Sequence, residues 1–239
     1  MTHYSTKAFI LHKQISEEKD NIYHFFTQDF GKVKLFAKST RDILAKLAGH
    51  LEPPTLVDIT FSSGERPRLL SALEDNSYFN IKNNGLALNT ALKISELVDD
   101  LTIIYQPDDN LFQLIFQVFY FLDNNLGKSS KIIDFSWLYF EAHLLRILGY
   151  EPFLEGCVVC GIKDTHYFSF RERGLVCLKH KHADDMPLTN NQKKYLRALF
   201  RLPLHKFTSL PLISQILEEK KFLEEVLGKF TLKVKSDIM

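Results

Sequence analysis

The three cysteines of this chain stand as Cys157-x2-Cys160 and, after a spacer of sixteen residues, Cys177-x2-His180. Each pair has the spacing of a tight knuckle that aims two side chains at one ion, and the spacer is long enough for a hairpin that returns the second pair to the first. Gly161 and Gly174 stand where such turns would need them, and Tyr167-Phe168-Ser169-Phe170 alternates as a strand of that hairpin would. Cysteines also serve as small buried hydrophobes, but unrelated core cysteines seldom fall into matched pairs. Spacing favours His180 as the fourth ligand, with His182 and His166 as alternatives. A complete Cys3His shell is tetrahedral and leaves no position for water, so the expected ion is a structural Zn2+. A catalytic zinc of the deaminase type needs His-x-Glu upstream of its Cys-x2-Cys. The nearest triplet here, Glu141-Ala142-His143, has the reverse order.

A second cluster carries charge. Lys32, Lys34, Lys38, Arg41 and Lys46 set against Asp42 sum to about +4 within some fifteen residues, in a chain whose total is +1. That is the form of a phosphate-binding footprint. Phe36 shares a strand face with Lys32, Lys34 and Lys38, the stacking-plus-cation pattern of single-strand binders. The plainer alternative is a solvated strand face whose lysines protect a sheet edge. No Walker loop, GxGxxG, GxSxG, HExxH or DxDxDG motif occurs, and acidic pairs such as Asp99-Asp100 and Glu218-Glu219 read as helix surface.

These residues must be held by two kinds of element. Up to about residue 80 the chain is strand-like: Lys7–Lys13, Asn21–Thr27, Lys32–Lys38, Thr55–Phe61 and Arg68–Leu73 are short runs rich in β-branched, aromatic and apolar residues. Asp29-Phe30-Gly31 suits a hairpin turn, with positive φ at Gly31. In Lys32–Lys38, Val33, Leu35 and Ala37 take the inner face. Such closely spaced strands predict a small closed or nearly closed barrel.

From about Leu86 the period becomes helical. Ala91, Ile94, Leu97, Val98 and Leu101 line one face, opposite Leu88, Leu92, Ser95 and Asp99. Pro107 ends that segment, and Leu111–Leu122 is a buried helix. Asp134 is the expected cap of a helix ending near Gly149. Thr189-x-x-Gln192 is a capping box, and Pro211 opens one last helix with Ile213, Ile216, Leu217, Phe222, Leu223 and Val226 inward. The fold class is α+β: domain 1–80 is the barrel, and domain 81–239 is mainly helical with a zinc module at 153–186 inserted in it.

Hydrophobic residues at 45% and charged residues at 25% are those of a folded soluble protein. No apolar run reaches membrane-spanning length and the first residues are polar, so a cytoplasmic location without membrane contact is expected. Three cysteines in a reducing compartment do not make a disulfide framework. Near-neutral net charge leaves any nucleic-acid affinity to a local patch.

Taken in order, "KAFILHKQ", "FFTQDFGKVKLFAKSTR", "LAGHLEPPTLVDI", "ALKISELVDDL", "FEAHLLRILGYEP" and "CVVCG...GLVC" resemble the bacterial RecO recombination mediators over essentially the whole length. The resemblance implies an N-terminal OB fold, a helical domain and a zinc module. It implies no catalysis, but DNA repair and recombination by binding single- and double-stranded DNA, annealing complementary strands and, with RecR, helping to load RecA onto DNA coated by single-stranded DNA-binding protein. A nucleoid-associated location goes with that role.

By the same resemblance, Lys32, Lys34, Phe36, Lys38, Arg41 and Lys46 fall on the DNA-binding barrel. Ser39-Thr40-Arg41-Asp42-Ile43-Leu44 replaces the glycine and arginines of many relatives, which implies weaker, more salt-sensitive binding. The C-terminal tail of single-stranded DNA-binding protein needs an apolar floor and a cation, which Phe112, Phe116 and Phe119 with Lys128 or Lys131 could supply; the density of these Phe equally fits plain core. Leu138-Tyr139 stand where some relatives carry basic residues. His180 replaces the family's usual fourth cysteine. Two other classes compete: a zinc-knuckle adaptor without DNA binding, and a zinc enzyme acting on nucleic acid.

Overall fold

The computed structural model describes residues 2–15, 21–37, 51–207 and 209–238. Five strands, β1 (His3–Ile15), β2 (Asn21–Thr27), β3 (Gly31–Ala37), β4 (Leu56–Ser62) and β5 (Arg68–Asn76), close into a barrel of order β1-β2-β3-β5-β4. All pairings are antiparallel except β3 with β5, which meet in parallel at Phe36 and Arg68. This is the five-stranded OB arrangement.

Alternation explains the barrel. Ala8, Ile10, Tyr23, Phe25, Val33, Leu35, Val57, Ile59 and Phe61 point inward and form one buried cluster. Residues 8–11 are buried on both faces, so "AFIL" reads as a continuous apolar run. The outward Phe9 ring is covered by helical residues: Phe112 lies 5.0 Å and Phe119 5.8 Å away, centroid to centroid.

Those helices are α1 (Phe79–Lys82), α2 (Gly85–Leu101) and α3 (Asp109–Asn125). Asn84 and Asp108 cap α2 and α3 by accepting from the N–H groups of Ala87 and Leu111. The connector after α2 lies against β3: Ile104 pairs in parallel with Lys32, and the Tyr105 N–H donates to the Lys32 carbonyl at 2.9 Å. Gly31 permits this twice over. Its φ is +64°, and a Cβ there would stand 2.0 Å from the Gln106 carbonyl oxygen.

The chain divides into two compact units, Met1–Ile133 and Asp134–Met239. Helix α4 (Lys131–Ile147) begins a turn earlier than expected, with the Lys131 N–H donating to the Ser129 hydroxyl. Asp134 therefore lies in the first turn, not at the cap, where its carboxylate suits the helix dipole and meets Lys220 at 2.9 Å. Gly149 closes α4 as expected, at φ +81°, with Tyr150 N–H on the Leu145 carbonyl and Gly149 N–H on that of Arg146.

Beyond a small three-stranded sheet, β6 (Tyr167–Ser169), β7 (Gly174–Val176) and β8 (Met186–Pro187), come α5 (Asn190–Arg201), α6 (Leu210–Glu218) and α7 (Lys220–Ile238). Thr189 and Gln192 form the expected capping box of α5. The expected single last helix is two, α6 and α7, broken at Glu219. There the Glu219 N–H turns to the Ile216 carbonyl, while Gln192 holds its carboxylate at 2.9 Å. Leu217, expected inside, is only half-buried.

Two expected outcomes follow. Gly31→Ala combines left-handed strain with a collision against Gln106, and should lower stability by at least ~1–2 kcal/mol in urea unfolding. The second concerns Glu141, buried on α4 with the Thr231 hydroxyl donating to it at 2.8 Å. Burial pushes its carboxyl from 4.5 up to about 7, against the opposing pull of Thr231. The folded state thus holds an extra proton between those values, and this group's stabilising contribution is lost as pH rises through that window. Glu141→Gln should therefore gain on the order of 1–3 kcal/mol over wild type at pH 8, with little difference at pH 4.

Candidate metal centre and nucleic-acid interface

The cysteine segment folds as two knuckles. In the first, the Gly161 N–H donates to the Cys157 carbonyl and the Cys157 N–H to that of Ile162, both at 2.8 Å, with Gly161 at φ +73°. In the second, the His180 N–H donates to the Cys177 carbonyl at 3.0 Å. Gly174 serves differently from the turn role expected of it. Arg173 takes the positive φ of the hairpin, while a Cβ on Gly174 would stand 2.4 Å from the Phe153 carbonyl oxygen. The module is held to α5 by Lys193 donating to the Thr165 carbonyl at 2.6 Å and Arg197 to the Leu154 carbonyl at 2.7 Å.

Cys157, Cys160, Cys177 and His180 bring their ligand atoms within 4.8 Å of one another. Cys160 Sγ and Cys177 Sγ are 3.8 Å apart, and His180 Nδ1 lies 3.6 Å from Cys157 Sγ and 3.3 Å from Cys177 Sγ. Metal bonds of zinc length in a tetrahedron give ligand–ligand edges of roughly 3.5–3.8 Å, so the set fits one ion. Burial raises the Cys157 thiol, but the backbone N–H groups of Cys160, Cys177 and Val159, with His180, outweigh it and bring it down to about 6. That favours thiolate, the ligating form, at Cys157, whereas at Cys160 the pull of the Ile162 N–H is outweighed by burial and by the neighbouring Cys157 and Cys177, which raise its thiol. The other candidates lie apart: His182 meets Glu172 at 3.3 Å and His166 meets Asp164 at 2.8 Å. Neither Glu141 nor His143 belongs to the cluster.

On the barrel, β3 alternates as expected, with Val33, Leu35 and Ala37 inside, Lys34 exposed and Phe36 half-buried. Lys32 is the exception to the expected basic face. It is buried, and its ammonium donates to the Asp99 carbonyl at 2.5 Å and lies 3.4 Å from the Asp99 carboxylate. It thus serves one of the unpaired carbonyls in the last turn of α2. His24 Nδ1 meets the same carboxylate at 2.7 Å. Burial alone would raise the Asp99 carboxyl, but His24 and Lys32 hold it below its usual value. Lys38, Arg41 and Lys46 lie outside the described residues.

Lys34 and Phe36 line a cleft of about 380 Å3 on the barrel wall, together with Tyr105 and Ile104 from the connector. Sequence reasoning missed those two. The only signal was an exposed apolar triplet, Ile103-Ile104-Tyr105, ahead of Pro107.

The expected tail-binding floor on α3 is also corrected. Phe112 and Phe119 are buried against Phe9, because they occupy the side of α3 that covers β1. Phe116 is half-buried and stacks on the exposed Tyr120, their centroids 6.1 Å apart. Lys128 is exposed near the end of α3 and donates to Asn125 at 2.7 Å, and Lys131 is exposed at the start of α4.

Two family models match in series: the recombination protein O N-terminal model over residues 1–77 and the recombination protein O C-terminal model over residues 83–233. The chain belongs to the recombination protein O family. It is 28% identical to the DNA repair protein RecO of Dehalococcoides mccartyi, over 90% of this chain and 85% of that one. It is likewise 28% identical to the RecO of Koribacter versatilis over 94% and 92% of the two chains, and 23% identical to that of Acetivibrio thermocellus over 96% and 94%. RecO is a DNA repair and recombination family, and that role comes with membership. Among the described residues no helix is long and apolar enough to cross a membrane.

His180→Ala should reduce the metal held per chain by at least ten-fold in a competition with a chromogenic chelator, whereas His182→Ala should leave it unchanged. Equal retention by the two variants would remove His180 from the ligand set.

Proposed function

We propose that this chain binds single- and double-stranded DNA through the outer face of β2 and β3, anneals complementary strands and, with RecR, assists loading of RecA onto DNA coated by single-stranded DNA-binding protein. The observation that carries the reading is Lys34 and Phe36 side by side on the open face of an OB barrel, in a chain matched over most of its length by a recombination family. A cation for the backbone beside a ring for a base is what sequence-independent strand binding requires. Lys38, Arg41 and Lys46 are the further phosphate contacts, and the nucleoid is the corresponding location.

The metal best suited to this donor set is zinc in a structural role: Cys157, Cys160, Cys177 and His180 would supply three thiolates and an imidazole, a full tetrahedral shell with no position left for water or substrate. Its ligands fix the two knuckles and take no part in DNA chemistry. For the tail of single-stranded DNA-binding protein, the apolar surface left on α3 is the Phe116–Tyr120 pair, with Lys128 and Lys131 as the cations.

Fluorescence-detected annealing of complementary oligonucleotides across a salt series, with and without single-stranded DNA-binding protein, tests the reading. Acceleration that fades as salt rises is expected. Lys34→Ala should weaken binding uniformly across sequences and lower the salt slope by about one, as loss of one phosphate contact does. Lys32→Ala should instead lower stability and leave that slope alone, since its ammonium is bound to Asp99. A folded, metal-loaded chain that neither binds nor anneals at low salt would point to the adaptor role.

A further inference from the structure

Tyr105 is an unusual residue to leave in the open. The residue is 55% exposed, and among the described residues its ring takes part in no ring or cation contact. Yet its backbone is held at φ +61°, a left-handed conformation that bulky side chains seldom adopt and that persists where surrounding contacts impose it. The imposing contacts are the Tyr105 N–H on the Lys32 carbonyl and the Ile104–Lys32 bridge, both made possible by Gly31. The result is a second aromatic side chain on the same cleft as Phe36.

The other lining groups narrow the choice of ligand. Among the described residues the cleft holds one lysine, Lys34, and one carboxylate, Glu65, with the amide of Gln14 and the ring of His24 beside them. A phosphate cluster would gather cations and exclude Glu65. A nucleobase fits the set: rings for its faces, an amide and a carboxylate for its polar edge, and one ammonium for the adjoining phosphate. The volume is in the range of small-ligand clefts.

We propose that this cleft seats one unstacked nucleobase of a single strand, with Phe36 and Tyr105 as its apolar walls and Lys34 on the neighbouring phosphate. The inference rests on the reading that the barrel binds DNA, and adds that the connector after α2 supplies half of the base site.

The test is fluorescence anisotropy with two labelled probes of equal length, oligothymidylate and an abasic deoxyribose-phosphate strand, for wild type, Lys34→Ala, Tyr105→Ala and Tyr105→Phe. Thermal melting confirms that the variants fold; Tyr105 is exposed, so its loss should leave the melting temperature in place. The expected result is that Tyr105→Ala weakens oligothymidylate binding on the order of ten-fold, as loss of one stacked base does. Abasic binding should stay unchanged, Tyr105→Phe should retain wild-type affinity, and Lys34→Ala should weaken both probes. If Lys34→Ala weakens both probes while Tyr105→Ala alters neither, or both equally, the base seat is overturned and the barrel reading stands. If Lys34→Ala changes neither probe, the barrel reading falls and the base seat with it.

Discussion

A hydrogen atom where residue 31 would otherwise carry a Cβ lets the chain leaving α2 lie directly against the barrel. Gly31 turns the β2–β3 hairpin with a positive φ and, at the same point, admits the Gln106 carbonyl into space that any side chain would fill. The next residue fastens the contact. Lys32 carries its ammonium under the end of α2, and His24 joins the same Asp99 carboxylate from β2. The Lys32–Asp99 ion pair, with the His24 ring hydrogen-bonded to the same carboxylate, is largely shielded from water, so it counts for more than a surface pair, and removing one partner strands the others. Helix, connector and strand are thereby held as one body, and only the residues beyond Lys32, Lys34 and Phe36, remain open on that face of β3.

The metal tetrad solves a different problem. The apolar cluster at the knuckles contains only Cys157, Val176 and Cys177 with Tyr167 packed against them, while Leu154, Phe168 and Leu175 are buried elsewhere in the module; this is a small core to offset the ordering entropy of two turns and a hairpin. An ion held by the four ligands would supply cross-links that so small a core lacks, as in other small metal-stapled modules. The knuckle tips leave Val159, Ile162 and Leu178 exposed. They can do so because the module is also held by its carbonyl contacts with α5 and by Phe168, which is buried and packs against Phe230 of α7, not by those side chains.

Features set by local chemistry were legible in the sequence. The strands end within a few residues of their expected bounds, the capping box of α5 and the glycine stop of α4 form as their spacing implies, and the ligand pairs meet as Cys-x2-Cys and Cys-x2-His predict. Features set by what covers a surface were not. Alternation put Lys32 on the outer face of β3 correctly, but nothing in the period says that a helix end lies over that face. Likewise the apolar run of α3 could not tell Phe112 and Phe119, which meet Phe9, from Phe116, which does not. Gly174 was read as a turn residue because a glycine needed for close backbone approach looks the same in sequence. Tyr105 lay in a stretch with no helix or strand period at all.

Chemical-shift mapping of the 15N-labelled chain during titration with a short oligothymidylate would locate strand binding directly. The expected result is movement of backbone signals along β2, β3 and the 103–106 connector, with the metal knuckles undisturbed. Movement centred on the knuckles and absent from β3 and the connector would contradict the assignment of DNA binding to the barrel face.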